Sequence, residues 1–158
     1  MKTTDSIKAK GEVEIIIEYN DGNKEIRHIK NAVLRKGREA LAASLANEIG
    51  NTFDFFIVRM LFGDNGTSGG VPKSVNSERT GLFGTTKVSK VVVSQINSAI
   101  PSQVVFTSVL TFSEGNGLAL SEMALQMNNN ELYSMTTFAD LNKTSSMQIT
   151  WNWNLSFV

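Results

Sequence analysis

The sequence predicts a mainly β protein: an antiparallel, jelly-roll-like β-sandwich with one α-helix packed against it. Short apolar stretches recur at regular spacing with turn residues between them, the pattern of a sandwich or barrel. A single segment has helical periodicity. The last segment alternates without a slip: Met147, Ile149, Trp151, Trp153, Leu155 and Phe157 fall on one face, and Gln148, Thr150, Asn152, Asn154 and Ser156 on the other. Successive side chains of a strand point to opposite faces, so this is a half-buried antiparallel strand. It holds both tryptophans of the chain. Ile149, Trp151, Trp153, Leu155 and Phe157 are therefore assigned to a strand that closes the core, and loss of either indole is expected to unfold the domain.

The remaining elements follow in order. Residues 1–10 read as a flexible polar arm, and 11–158 as one sandwich domain. Val13, Ile15, Ile17 and Tyr19 alternate with Glu12, Glu14 and Glu18, and Asn20-Asp21-Gly22-Asn23 supplies a hairpin turn whose Asp-Gly suits type I′. The hairpin spans 12–29, and its charged return strand suits an exposed edge. A two-residue turn pairs Ile17 with Ile26 but sets Glu18 against Glu25, which leaves the register open. The helix is placed at about 34–49, with Leu41, Leu45 and Ile49 as its apolar stripe, Ala42 and Ala46 beside them, and Gly50 as its terminator. Its basic start (Arg35, Lys36, Arg38) opposes the helix dipole.

Phe53 to Phe62 reads as a strand buried on both faces, followed by a glycine-rich loop over 63–84, long enough to suggest a functional or mobile segment. Four further strands are predicted at Lys87–Ile96, Gln103–Phe112, Leu118–Met127 and Glu131–Phe138.

Composition limits the chemistry. The 158 residues carry 15 basic and 15 acidic side chains, one histidine and no cysteine. Balanced charge provides no general attraction for nucleic acid or anionic membranes. Thiolate metal sites and disulfides are ruled out, and a lone His28 leaves little room for histidine-based catalysis. Neither a secretory signal nor an apolar run of membrane-spanning length is read in the sequence. Asp64-Asn65-Gly66-Thr67 lacks the donor spacing of a calcium loop, and the glycines lack a Walker lysine. No G-x-S-x-G elbow is present. Glu122 interrupts an apolar strand; it is expected to face solvent or to pair with Lys143 or Arg79. No catalytic, cofactor or metal residue is assigned.

Trp151 and Trp153 on one strand face have the spacing of a sugar-stacking platform, but the apolar row around them favours packing. The basic cluster Lys24, Arg27, Lys30, Arg35, Lys36 and Arg38 lacks interleaved aromatics and is interrupted by Glu25 and Glu39, which disfavours specific nucleic-acid reading.

The segment from Gly117-Leu118-Ala119-Leu120-Ser121-Glu122-Met123-Ala124-Leu125 through Leu132–Phe138 to Lys143-Thr144-Ser145 and Ile149-Thr150-Trp151 resembles the C-terminal half of small tailed-bacteriophage virion proteins. Asn31-Ala32-Val33 with Gly37-Arg38-Glu39-Ala40-Leu41-Ala42 is similar to their N-terminal helix region, and Phe62-Gly63-Asp64-Asn65-Gly66-Thr67 to their glycine-rich turn. The resemblance spans roughly Asn31 to Phe157. It implies a non-enzymatic structural protein of head surface, neck, tail or baseplate, assembled in the host cytoplasm into a virion. It also implies other virion proteins as partners and a cyclic homo-oligomer, while the balanced charge and the lack of a spanning apolar run predict no specific nucleic acid and no membrane. A carbohydrate- or receptor-binding module is the rival expectation. Candidate contact residues are Lys24, Arg27 and Lys30 on the hairpin, Asp64, Asn65 and Arg79 in the long loop, and an exposed strand edge.

Overall fold

A computed structural model describes residues 8–46 and 55–158. Two antiparallel sheets of five strands each face one another, as a β-sandwich with one helix requires. In chain order the elements are β1 (Ala9–Tyr19), β2 (Lys24–Lys30), β3 (Ala32–Val33), α1 (Arg35–Ala46), β4 (Ile57–Gly63), β5 (Thr67–Ser68) and β6 (Val71–Pro72). They continue with β7 (Val88–Val91), β8 (Val93–Ile96), β9 (Gln103–Leu110), β10 (Ala119–Met127), β11 (Leu132–Asn142) and β12 (Met147–Phe157). The first sheet has the order β2-β1-β12-β9-β8 and the second β3-β11-β10-β4-β7, while β5 and β6 form a small separate ribbon.

The C-terminal strand β12 lies in the middle of its sheet, hydrogen-bonded to β1 on one side and β9 on the other. Its alternation is clean because one face meets the core and the other is the outer face of the sheet. Ile149, Trp151, Trp153 and Leu155 are buried, and Phe157 is half-buried at the open end. Trp151 contacts the rings of Phe62 (centroids 4.9 Å apart) and Phe138 (5.5 Å) across the inter-sheet space. Each indole removes about 200 Å² from water, so this strand anchors the core.

The arm expected over 1–10 does not hold for residues 8–10. Ala9 and Lys10 already belong to β1, and Lys8 exchanges backbone hydrogen bonds with Val158 (2.6 and 3.0 Å); residues 1–7 lie outside the described residues. The hairpin turn also differs from a two-residue I′ turn. Gly22 N–H donates to Tyr19 O and Tyr19 N–H to Asn23 O, with only Gly22 at positive φ (87°). That is a three-residue loop with a bulge at glycine. The shifted register sets Ile16 opposite Ile26 and Glu18 opposite Lys24, turning the expected Glu18–Glu25 repulsion into an ion pair of 2.5 Å.

The helix buries only part of the stripe its leucines indicate: Leu41 is half-buried against the main core, and the fully buried positions beside it are small. Gly37 and Ala40 are buried, whereas Leu45 is 86% exposed and Ala42 and Ala46 are exposed. A Cβ on Gly37 would sit 2.3 Å from the carbonyl oxygen of Tyr133, so glycine permits the close approach to β11. The Arg35 N–H is satisfied by Ser77 O (2.7 Å), which explains a helix start without a capping side chain. The expected end at Ile49 and Gly50 lies outside the described residues, as does Phe53.

In β4, Met60, Leu61, Phe62 and Gly63 are buried in succession, as expected of a strand covered on both faces. The inner face meets the main core. The outer face of this sheet carries a second cluster of Leu34, Leu61, Ala124, Leu132 and Met135, roofed by Val75, Leu82 and Phe83 from the long loop. The predicted strand over Lys87–Ile96 is two strands: β7 pairs with β4 in one sheet, and β8 pairs with β9 in the other.

Candidate functional site

Two places concentrate chemistry: the fastening of the long loop on β10, and the edges of the first sheet.

The loop fastening starts from a local irregularity. Between Leu120 and Glu122 the β10–β11 register shifts. A bulge breaks the alternation of faces, so Leu120 and Met123 both enter the core while Ser121 and Glu122 meet the loop. Ser121 Oγ accepts the N–H of Gly66 (2.9 Å). Glu122 Oε1 accepts the N–H groups of Asn65 (3.2 Å) and Gly84 (3.0 Å), and Oε2 that of Phe83 (2.6 Å). Glu122 is fully buried, and no cation lies within ion-pair distance among the described residues. Three backbone donors replace the water that its charge has lost. Glycines at 63, 66 and 84 are needed because a Cβ on any of them would enter this space, at 2.0 Å from Ser121 O in the case of Gly66.

The pairing of Glu122 with Lys143 or Arg79 is therefore not found. Lys143 is buried and donates to Asn116 Oδ1 (3.0 Å) and Thr144 O (2.9 Å); burial lowers its pKa, partly opposed by the Glu114 carboxylate. Arg79 donates to the carbonyls of Gly81 (3.1 Å) and Leu82 (2.8 Å), and its guanidinium lies 3.7 Å from the Phe83 ring centre. Asn65 donates its amide to Phe83 O and accepts Lys73 Nζ, while Asp64 faces Lys87 at 3.5 Å. Asp64, Asn65 and Arg79 thus hold the loop together. The loop, expected to be functional or mobile, is roofing held at both ends by one carboxylate.

Lys24, Arg27 and Lys30 lie apart from that group, on the edge strand β2. Lys24 pairs with Glu18 and Arg27 with Glu25. Farther along the basic cluster, Arg35 meets Glu39 and Glu78, and Lys36 meets Glu39 and Glu131. The helix-start cations that oppose the dipole tie α1 to the loop and to the β10–β11 turn. His28 is exposed, with Nδ1 3.0 Å from Glu12.

The outer face of the first sheet is a polar lattice. Asn152 bridges Glu14 (3.0 Å) and Thr107 (2.9 Å), Gln148 donates to Glu18 (3.2 Å), and Gln103 donates to Ser156 (3.2 Å). At one end it opens into a groove of about 740 Å³ lined in part by Glu12, Asn31, Gln103, Asn154 and Ser156. The tryptophans cannot form a sugar platform, since both are wholly buried.

The other edge of the first sheet was not singled out by residue from the sequence. All four residues of β8 are exposed, and Val91 (67%), Val93 (72%), Ile96 (60%) and Ile100 (50%) show large apolar surface along it. The run Val91-Val92-Val93 breaks alternation, and that break marks the crossing between sheets: Val92 N–H still donates to Val58 O in β4, and Val93 already pairs with Thr107 in β9. Among the described residues no group of three or more His, Cys, Asp or Glu is placed to hold a metal ion, and no helix is long and apolar enough to cross a membrane.

The fold and these two places define a class of protein, a two-sheet β-sandwich with one docked helix and a bare apolar edge. No family model, curated protein or solved structure matches the chain.

Proposed function

We propose that this protein is a non-enzymatic structural component of a tailed-phage virion, assembled in the host cytoplasm. It works by self-association and by docking onto other capsid, neck or tail proteins. The observation that carries the mode of action is the edge at Val88–Ile96, where β-branched side chains and outward backbone groups stand exposed together. Such an edge is a template for a strand of another chain. The setting rests on the resemblance of Asn31–Phe157 to phage virion proteins. The buried polar groups support a structural role, since Glu122 and Lys143 are occupied in fastening the fold.

The test is the protein inventory of purified particles by mass spectrometry. The chain is expected at fixed stoichiometry, and its absence from particles refutes the role. The second reading, a glycan- or receptor-binding module, is favoured by the amide-lined groove beside Asn31 and Asn154. Under it, Asn154→Ala abolishes binding of the protein to host cells while leaving incorporation into particles intact.

A further inference from the structure

Resting on the assembly reading above, we propose that the partner of the β8 edge is a second copy of this chain, joined by two-fold antiparallel pairing of β8 centred on Gln95.

The backbone directions follow from the ladder. Asn97 N–H donates to Gln103 O (2.9 Å), and the β8–β9 register pairs Gln95 with Val105 and Val93 with Thr107. Hydrogen-bonded and non-hydrogen-bonded pairs alternate in an antiparallel ladder. Val93, Gln95 and Asn97 therefore turn their backbone groups toward β9, and Ser94 and Ile96 turn both N–H and C=O outward. The next outward position toward the N-terminus is lost, because Val92 N–H is taken by Val58 in the other sheet.

Self-pairing about Gln95 sets Ser94 opposite Ile96 of the partner subunit, and Ile96 opposite Ser94 of the partner subunit. Each such pair exchanges two hydrogen bonds, so all the outward groups of both strands are satisfied. Two-fold pairing centred on Ser94 or on Ile96 instead matches only that residue with itself and leaves the other unpaired or against Val92 or Ser98. The two Gln95 side chains then meet on the outer face, where amides can donate and accept mutually. The two five-stranded sheets run on as one continuous sheet.

Charge separates this edge from the opposite one. On β2, residues 24, 26, 28 and 30 turn outward by the same reasoning from the Tyr19–Asn23 pair. Two-fold pairing there about Arg27 sets Arg27 against Arg27 and Lys24 against Lys30 of the partner subunit. Like charges directly opposite are destabilising, and lysines are the usual guard of an edge. Val93-Ser94-Gln95-Ile96 carries no charge and no proline.

The chain has no cysteine, so Gln95→Cys introduces a single thiol. In the proposed pairing the two residues form a non-hydrogen-bonded pair about 4.5 Å apart at Cα, inside the range that a disulfide bridges. The full chain is measured by light scattering at about 100 µM, which populates a dimer of micromolar Kd. The expected result is a two-chain mass, quantitative oxidation of the Gln95→Cys variant to a covalent dimer, and monomers for Ser94→Pro and Ile96→Lys with unchanged circular dichroism. Proline at 94 removes only an outward N–H, which an edge strand tolerates. A monomeric wild type overturns the proposal. So does an oligomer that survives both edge variants or fails to cross-link through Gln95→Cys; such an oligomer, or a monomer found in particles, leaves the assembly role standing.

Discussion

Glu122 shows how a residue without catalytic company can still govern a large part of the molecule. Its two oxygens collect N–H groups from both ends of the loop. Glu122→Gln exchanges one acceptor for a donor that faces other donors. It is expected to lower unfolding stability by about 2 kcal/mol and to open the 64–84 segment to limited proteolysis, read as a cleavage in that segment before global unfolding. Lys143 makes a prediction of pH dependence. Its folded pKa lies below the ordinary lysine value of 10.5 because burial disfavours the charged form. Between the two values the unfolded chain holds a proton that the folded one has lost, so stability rises with pH through that window. Denaturant midpoints measured as the pH is raised toward 10.5 are expected to show this rise, and Lys143→Met to remove its share. Above pH 10 the sign reverses for Tyr133, whose hydroxyl is pushed up to about 12 by burial, so stability falls as the unfolded chain ionises first.

At the scale of elements, the helix depends on one glycine. Gly37→Ala forces α1 away from the Tyr133 carbonyl, and despite alanine's better helix propensity it is expected to cost about 1–3 kcal/mol. A thermal shift measures it, and Leu45→Ala, at an exposed site, should leave the melting temperature within a degree or two. The same contrast explains what could be read in the chain beforehand. β12 was legible because one of its faces is wholly core and the other wholly polar, so alternation survives intact. The α1 face was legible only in part: Leu41 packs against the core, but Leu45 does not, and the fully buried positions are Gly37 and Ala40, residues whose value is smallness and not hydrophobicity. The hairpin turn was misassigned because Asp-Gly fits both a I′ turn and a glycine-bulge loop, and the cross-strand pairing of Glu18 with Lys24 selects the second. The loop latch was hidden by the bulge at Ser121, which a period of two cannot signal. The edge at β8 was hidden because Lys87–Ile96 reads as one strand, whereas it changes sheets at Val92.

For the whole molecule, the two edges of the first sheet differ in kind. β2 is guarded by Lys24, His28 and Lys30; Lys24 and Arg27 pair with carboxylates of the chain, and His28 Nδ1 lies 3.0 Å from Glu12. β8 is short, uncharged and flanked by exposed valine and isoleucine. A lone soluble domain would be expected to guard both. In the proposed assembly role this asymmetry would supply one adhesive side and one solvated side. The most direct measurement of the proposed role is a reconstruction of assembled particles at a resolution that traces this chain. Copies related by rotational symmetry are expected, with the Val88–Ile96 edge covered by another protein chain and both tryptophans inside the sandwich. Particles that lack the chain, or that hold it with this edge bare to solvent, would contradict that role.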